Sequence, residues 1–124
     1  MHWINYLVVA VIVVVFLMLK RSGQIPAGNA LAYLKNGAMV IDVRTASEFG
    51  SGHLPNAISV PLDQIETALP RQVTDKNKFL LLHCQSGIRS GMAKTKLKHL
   101  GYTNSFNLGS YARAAKIVSR SQAN

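Results

Sequence analysis

One side chain in this 124-residue sequence can act as a soft nucleophile: Cys84, its single cysteine. It stands in the run His83-Cys84-Gln85-Ser86-Gly87-Ile88-Arg89-Ser90, after the apolar stretch Phe79 to His83 and before a helical pattern, Ser90 to Leu100. In α/β sheets, sites form where strand C-termini meet helix N-termini. A loop there turns backbone N–H groups inward, and the helix dipole adds partial positive charge. Both favour a thiolate and a bound anion. Gly87 permits the turn such a cradle needs, and Arg89 offers a rigid cationic fork for an oxyanion. The hydroxyls of Ser86 and Ser90 reach a loop anion, although Ser90 can equally serve as a helix cap. The alternative for Cys84 is a buried structural thiol on a tight turn. Gly87 and Arg89 at a strand-to-helix junction favour the nucleophile. A lone cysteine excludes an internal disulfide and any Cys-only zinc or iron–sulfur site. His2, His53, His83 and His99 have no ligand spacing, so neither metal nor cofactor is expected.

Three stretches, in order, resemble the rhodanese domain. The first is Ile41-Asp42-Val43-Arg44, then Glu48-Phe49, then Gly52-His53-Leu54-Pro55-Asn56-Ala57-Ile58 and Pro61. The second is Cys84-x-x-Gly87-x-Arg89-Ser90, and the third is Tyr102 followed by Asn107-Leu108-Gly109. The resemblance covers about residues 25–124, and departs from the family at Ser110 to Ala115, where a second glycine and a tryptophan are usual. It implies a five-stranded parallel sheet and a sulfurtransferase. The Cys84 thiolate would take the outer sulfur of a small anionic donor such as thiosulfate, hold it as a persulfide, and pass it to a thiol, cyanide or protein acceptor. Loop groups from Gln85, Ser86, Gly87, Ile88, Arg89 and Ser90 would cradle that sulfur, with Arg89 orienting the donor's anionic end. The resemblance gives Asp42 and Arg44 structural roles near the loop. Phosphatases of similar fold use a loop one residue longer between cysteine and arginine, so the four residues here favour sulfur over phosphate. A cysteine phosphatase, a non-catalytic tethered binding module and a persulfide carrier are the competing functions.

The elements that must position this loop are legible as alternating runs. Asn29 to Asn36 reads as a short helix stopped by Gly37. Ala38 to Val43 and Ala57 to Val60 read as strands, the second ended by Pro61. Asp63 to Leu69 reads as a helix capped by Asp63. Phe79 to His83 is apolar nearly throughout, as expected of a strand covered on both faces. Ser105 to Leu108 is a further strand and Ser110 to Ser119 a closing helix. Strands of this kind interleaved with helices imply an α/β domain, a central parallel sheet with helices on both faces, and the resemblance makes it a sheet of about five strands. If Thr45 opens a helical turn, Arg44 and Glu48 fall at pairing distance.

Two asymmetries remain. Residues 6–19 are 14 apolar residues in succession. As a helix, Trp3 to Leu19 would be about 26 Å long, enough for a thin hydrocarbon core. Trp3 and Tyr6 suit one interface, and Lys20 and Arg21 close the other end. A cleaved signal peptide would need cations before the run rather than after it. The expected organisation is therefore a transmembrane anchor over 1–20, a linker over 21–28 and a catalytic domain over 29–124. Lys20, Arg21 and Lys35 after the run place that domain on the cytoplasmic side of an inner membrane, held by residues 3–19. The charge is lopsided too. The net charge is +9; residues 1–75 carry five cations and five acids, and residues 76–124 carry nine cations and no acid. Lys94, Lys96 and Lys98 on one helix read as a solvated face, as steering for small anions, or as attraction to an anionic leaflet. Nucleic acid is not expected, because aromatics are few and not interleaved with the cations.

Overall fold

A computed structural model describes residues 2–123. After an N-terminal helix, α1 (His2–Ser22), the chain runs α2 (Ala27–Lys35), β1 (Met39–Asp42), α3 (Ala46–Ser51) and β2 (Ile58–Ser59). A 3-10 turn, Leu62–Gln64, leads into α4 (Ile65–Gln72); β3 (Leu80–His83), α5 (Ile88–His99), β4 (Ser105–Gly109) and α6 (Tyr111–Gln122) follow. All strand pairs are parallel, in the order β2-β1-β3-β4.

The two faces of the sheet follow from the period-two geometry of strands. Ile41, Leu80, Leu82 and Cys84 point to one side, where Ile65, Leu69, Ala93 and Leu97 from α4 and α5 close the core. Val40, Leu81 and Leu108 point to the other, against Ala30 of α2 and Ala114, Ile117 and Val118 of α6. β3 lies between β1 and β4 and is fully buried, which explains its unbroken apolar run. Tyr102 closes the first layer: it is 1% exposed and its hydroxyl donates to the Val73 carbonyl at 2.6 Å.

Several expectations need correction. The sheet has four strands among the described residues, not five. The missing edge is reduced to a single parallel bridge, Gln24 to Asn107, with Ile25 N–H donating to the Asn107 carbonyl at 2.9 Å. Pro26 has no N–H to extend that ladder, and α2 begins immediately after it. The segment 21–28, expected as a linker, thus contains the end of α1, this bridge and the first residues of α2. Asp63 does not cap a helix: it sits inside the 3-10 turn that Pro61 opens, and α4 starts two residues later. α5 starts at Ile88, not Ser90, because Gly87 takes the cap position with φ +97°.

The membrane expectation is likewise not supported as a span. Among the described residues, no helix is long and apolar enough to cross a membrane. What the structure has is α1, whose large apolar side chains from Trp3 to Met18 are 47% to 75% exposed. The side chains of Lys20 and Arg21, expected to set the orientation, lie outside the described residues.

Candidate active site

Cys84 lies one residue past β3, and its side chain is fully buried. Backbone pairing staples its loop to the β4–α6 corner. Cys84 N–H donates to the Gly109 carbonyl at 3.3 Å, Tyr111 N–H donates to the Gln85 carbonyl at 3.3 Å, and Ser86 forms an antiparallel bridge with Ser110. A register shift at the end of β3 sets His83 opposite Gly109, skipping Leu108. Gly109 takes φ +102°, and a Cβ there would meet the Gln24 side chain at 3.0 Å. Only a glycine fits that corner without strain.

Inside the loop, donors converge on the sulfur. Gly87 N–H donates to Sγ at 3.0 Å, and the Ser90 hydroxyl lies 3.5 Å from it. The backbone N–H groups of Ser86 and Ser90 also favour the thiolate. Burial pushes the thiol up, but the Ser90 hydroxyl and these N–H groups together outweigh it and hold Cys84 below an ordinary thiol. The first turn of α5 adds its dipole. The site therefore presents a sulfur poised to ionise, ringed by neutral donors.

A buried amide completes the ring. Asn107 on β4 accepts from the Ser90 hydroxyl at 2.7 Å and from Gly109 N–H at 2.9 Å through Oδ1, and donates through Nδ2 to the Gly87 carbonyl at 3.0 Å. Asn107 belongs to the Asn107-Leu108-Gly109 motif, to which the sequence alone assigns no role. A polar residue within a buried strand must find partners, and that is the signal that points to it.

Arg89 does not extend into an open cradle. Its guanidinium forms a two-point ion pair with Glu48, Nη1 to Oε1 at 2.7 Å and Nη2 to Oε2 at 3.1 Å, with both side chains about one-third exposed. Glu48 is itself held by Thr45 in a capping box at the start of α3, taking the Thr45 N–H at 3.0 Å. The Arg89 hydrogen bonds, and then the Thr45 N–H, lower the Glu48 carboxyl to about 2. Glu48 thus pairs with Arg89 across the fold, not with Arg44. Thr45-x-x-Glu48 is a capping-box signature readable in sequence, but its link to the loop depends on how α3 and α5 meet.

Asp42 and Arg44 lie behind the loop. Arg44 Nε and Nη2 clasp the Asp42 carboxylate at 3.0 and 2.7 Å, and Nη2 also donates to the Gly52 carbonyl at 2.7 Å. The guanidinium stands 4.7 Å from the centre of the Tyr111 ring. This pair ties β1 to the end of α3 and the start of α6. His83 is buried against it, with Nε2 3.7 Å from Asp42 Oδ2. Its Nδ1 lies 3.3 Å from the Cys84 carbonyl. Burial holds His83 below its usual range, with Asp42 partly opposing. Of the remaining expected loop residues, Gln85 is exposed, Ser86 partly exposed, and Ile88 49% exposed at the rim beside Met92. Among the described residues, no group of His, Cys, Asp and Glu is arranged to hold a metal.

Known proteins share this arrangement of elements. The chain matches the rhodanese-like domain family over residues 27–113. The thiosulfate sulfurtransferase PspE of Escherichia coli K12 is 36% identical over 69 residues, which are 56% of this chain and 66% of that protein. The tRNA uridine(34) hydroxylase of Hamiltonella defensa is 37% identical over 87 residues, 64% of this chain but 24% of the hydroxylase. This chain therefore spans just under two thirds of the first relative and about a quarter of the second. Among solved structures, a rhodanese with anions from E. coli superposes with a TM-score of 0.60 at 32% identity, covering 62% of this chain and 91% of that one. A human single-domain sulfurtransferase superposes at 0.64 and 23% identity, covering 76% and 96%, a likeness of fold.

Proposed function

The chain belongs to the rhodanese-like domain family, and from that premise we propose that it is a thiosulfate sulfurtransferase-like enzyme working through a persulfide on Cys84. The observation that carries this is the sulfur at the end of β3, buried, with Gly87 N–H at 3.0 Å and the Ser90 hydroxyl at 3.5 Å. A thiolate there attacks the outer sulfur of thiosulfate. The new S–S bond forms as the old one breaks, and sulfite leaves with the electron pair. In the second step a nucleophile (cyanide, a thiol or a protein acceptor) attacks the outer persulfide sulfur and releases the Cys84 thiolate. The loop N–H groups stabilise charge on sulfur in both steps. No second cysteine is present in the sequence to capture the persulfide as an internal disulfide.

The exposed apolar surface of α1 supports attachment to a membrane, with the domain on the cytoplasmic side as the cations after the run suggest. The decisive experiment on the chemistry is mass spectrometry of the protein after thiosulfate. Cys84 gains one sulfur atom, cyanide removes it as thiocyanate, and Cys84→Ser abolishes both. Absence of the adduct with every sulfane donor, or steady hydrolysis of an aryl phosphate, overturns the assignment.

A further inference from the structure

The Ser90 hydroxyl has one proton and two buried acceptors. Asn107 Oδ1 lies at 2.7 Å and Cys84 Sγ at 3.5 Å. Ser90 is fully buried and Asn107 is 3% exposed, so water does not complete either one. The shorter contact takes the proton while Cys84 is a thiol, because a neutral thiol is a weak acceptor and an amide oxygen a good one. Once the sulfur is anionic the preference reverses, since a hydrogen bond to a charged acceptor is the stronger one. Asn107 Oδ1 is not orphaned by the exchange, because it keeps the Gly109 N–H at 2.9 Å. Asn107 itself cannot turn away, since its Nδ2 is held by the Gly87 carbonyl at 3.0 Å.

We infer that Asn107 is a positioning residue that holds the Ser90 hydroxyl proton in reserve, so that it is delivered to the Cys84 sulfur when that sulfur becomes anionic. The exchange moves no electrons and breaks no covalent bond. It is a rotation of one hydroxyl between two acceptors, with the amide of Asn107 as the fixed post. The inference rests on Cys84 being the reacting sulfur.

The geometry makes an unusual prediction of sign. Removing the amide with Asn107→Ala takes away the competing acceptor, so the Ser90 proton is free for the sulfur and the thiolate becomes easier to form. A residue that merely braced the loop would do the opposite on removal, because the cradle of N–H groups would loosen. Asn107→Asp keeps the shape but holds the Ser90 proton more firmly, and makes the thiolate harder to form. Ser90→Ala deletes the donor and also makes it harder. In a Ser90→Ala background the effect of Asn107→Ala vanishes. The other titratable and charged groups packed around the loop are common to every variant of this cycle: His83 on β3, Asp42 on β1, Arg44 just after it, Glu48 from α3, Arg89 from α5 and Arg113 from α6.

The test uses the full chain without donor. The rate of Cys84 alkylation by iodoacetamide is followed against pH, with the thiolate absorbance as a second readout. The expected result for Asn107→Ala is a shift of the profile to lower pH, with roughly twofold to tenfold more thiolate at a fixed pH below the midpoint. Asn107→Asp shifts it to higher pH, and Ser90→Ala cancels the Asn107→Ala shift. An upward shift or no shift for Asn107→Ala, or equal shifts with and without the Ser90 hydroxyl, overturns the inference. If Asn107→Ala does not fold, Asn107→Asp with and without the hydroxyl decides the same question. Alkylation reads the thiolate directly, so it separates this inference from the persulfide assignment, which fails or stands on the mass of the donor-treated protein.

Discussion

Residue by residue, the mouth of the site is set by a cancellation of charge. Arg89 follows the cysteine loop, but Glu48 meets it with two oxygens at 2.7 and 3.1 Å. A thiosulfate dianion approaching the loop meets a pair rather than a bare cation. Glu48→Gln should therefore lower KM for thiosulfate about threefold with kcat little changed, and strengthen inhibition by inorganic phosphate. Steady-state kinetics checks this, and a raised KM would mean that Glu48 instead aims Arg89 at the donor. The pair is also resistant to acid. A carboxyl lowered from 4.5 to about 2 contributes its stabilisation fully above 4.5 and loses it progressively as pH falls from 4.5 through about 2. Carboxyl NMR should place the Glu48 midpoint well below 4.5; a midpoint near 4.5 would show the pair open in solution. Sequence made Cys84, Gly87 and Arg89 legible as chemistry because each type has a local reason to sit there. It did not make the partner of Arg89 legible, because Glu48 is 41 positions away and only the folded chain brings the two side chains together.

At the scale of elements, the site depends on two left-handed glycines facing each other, Gly87 at φ +97° and Gly109 at φ +102°. A Cβ on Gly87 would come within 3.4 Å of Gly109 Cα, so the cysteine loop and the β4 corner are in contact backbone to backbone. At Gly109 the same Cβ would meet Gln24 Nε2 at 3.0 Å and Arg113 Cδ at 3.1 Å. Gly109→Ala should cost about 1–2 kcal/mol from backbone strain alone, lowering the urea midpoint, and should slow persulfide formation because Asn107 hangs from the same corner. An unchanged urea midpoint would show that the corner relaxes freely. The capping box makes a second, smaller prediction. Thr45→Ala should cost about 1 kcal/mol by urea denaturation and loosen the grip of Glu48 on Arg89. Buried strands were legible as apolar runs, and β3 most of all, since it is covered on both faces. The strand count was not, because a single bridge at Gln24 replaces the expected edge and Pro26 stops it there. Nor was the start of α4, where Asp63 has the chemistry of a cap but Pro61 opens a 3-10 turn around it.

At the scale of the whole molecule, the chain divides by what its apolar residues touch. Both core clusters draw every buried member from residues 25 to 118, and α1 contributes none. Its apolar side chains are instead exposed along the helix. An exposed apolar surface of that extent marks an interaction site, and the proposed attachment to a membrane makes lipid its partner. On that proposal the cations Lys94, Lys96 and Lys98 on α5 would add an electrostatic contribution at an anionic surface. The two contributions separate cleanly by truncation. A protein beginning at Gly23 should unfold within about 2 °C of the full chain, because it keeps both cores, and should form the Cys84 persulfide at the same rate. With vesicles containing anionic phospholipid, the full chain should co-sediment at low and at high salt, since buried apolar area is insensitive to screening. The truncated protein should co-sediment at low salt alone, if at all, because its cations are screened within about a Debye length. A full chain released by salt would assign attachment to the cations and leave α1 free for a protein partner. A truncated protein that unfolds early would show that α1 packs on the domain in solution.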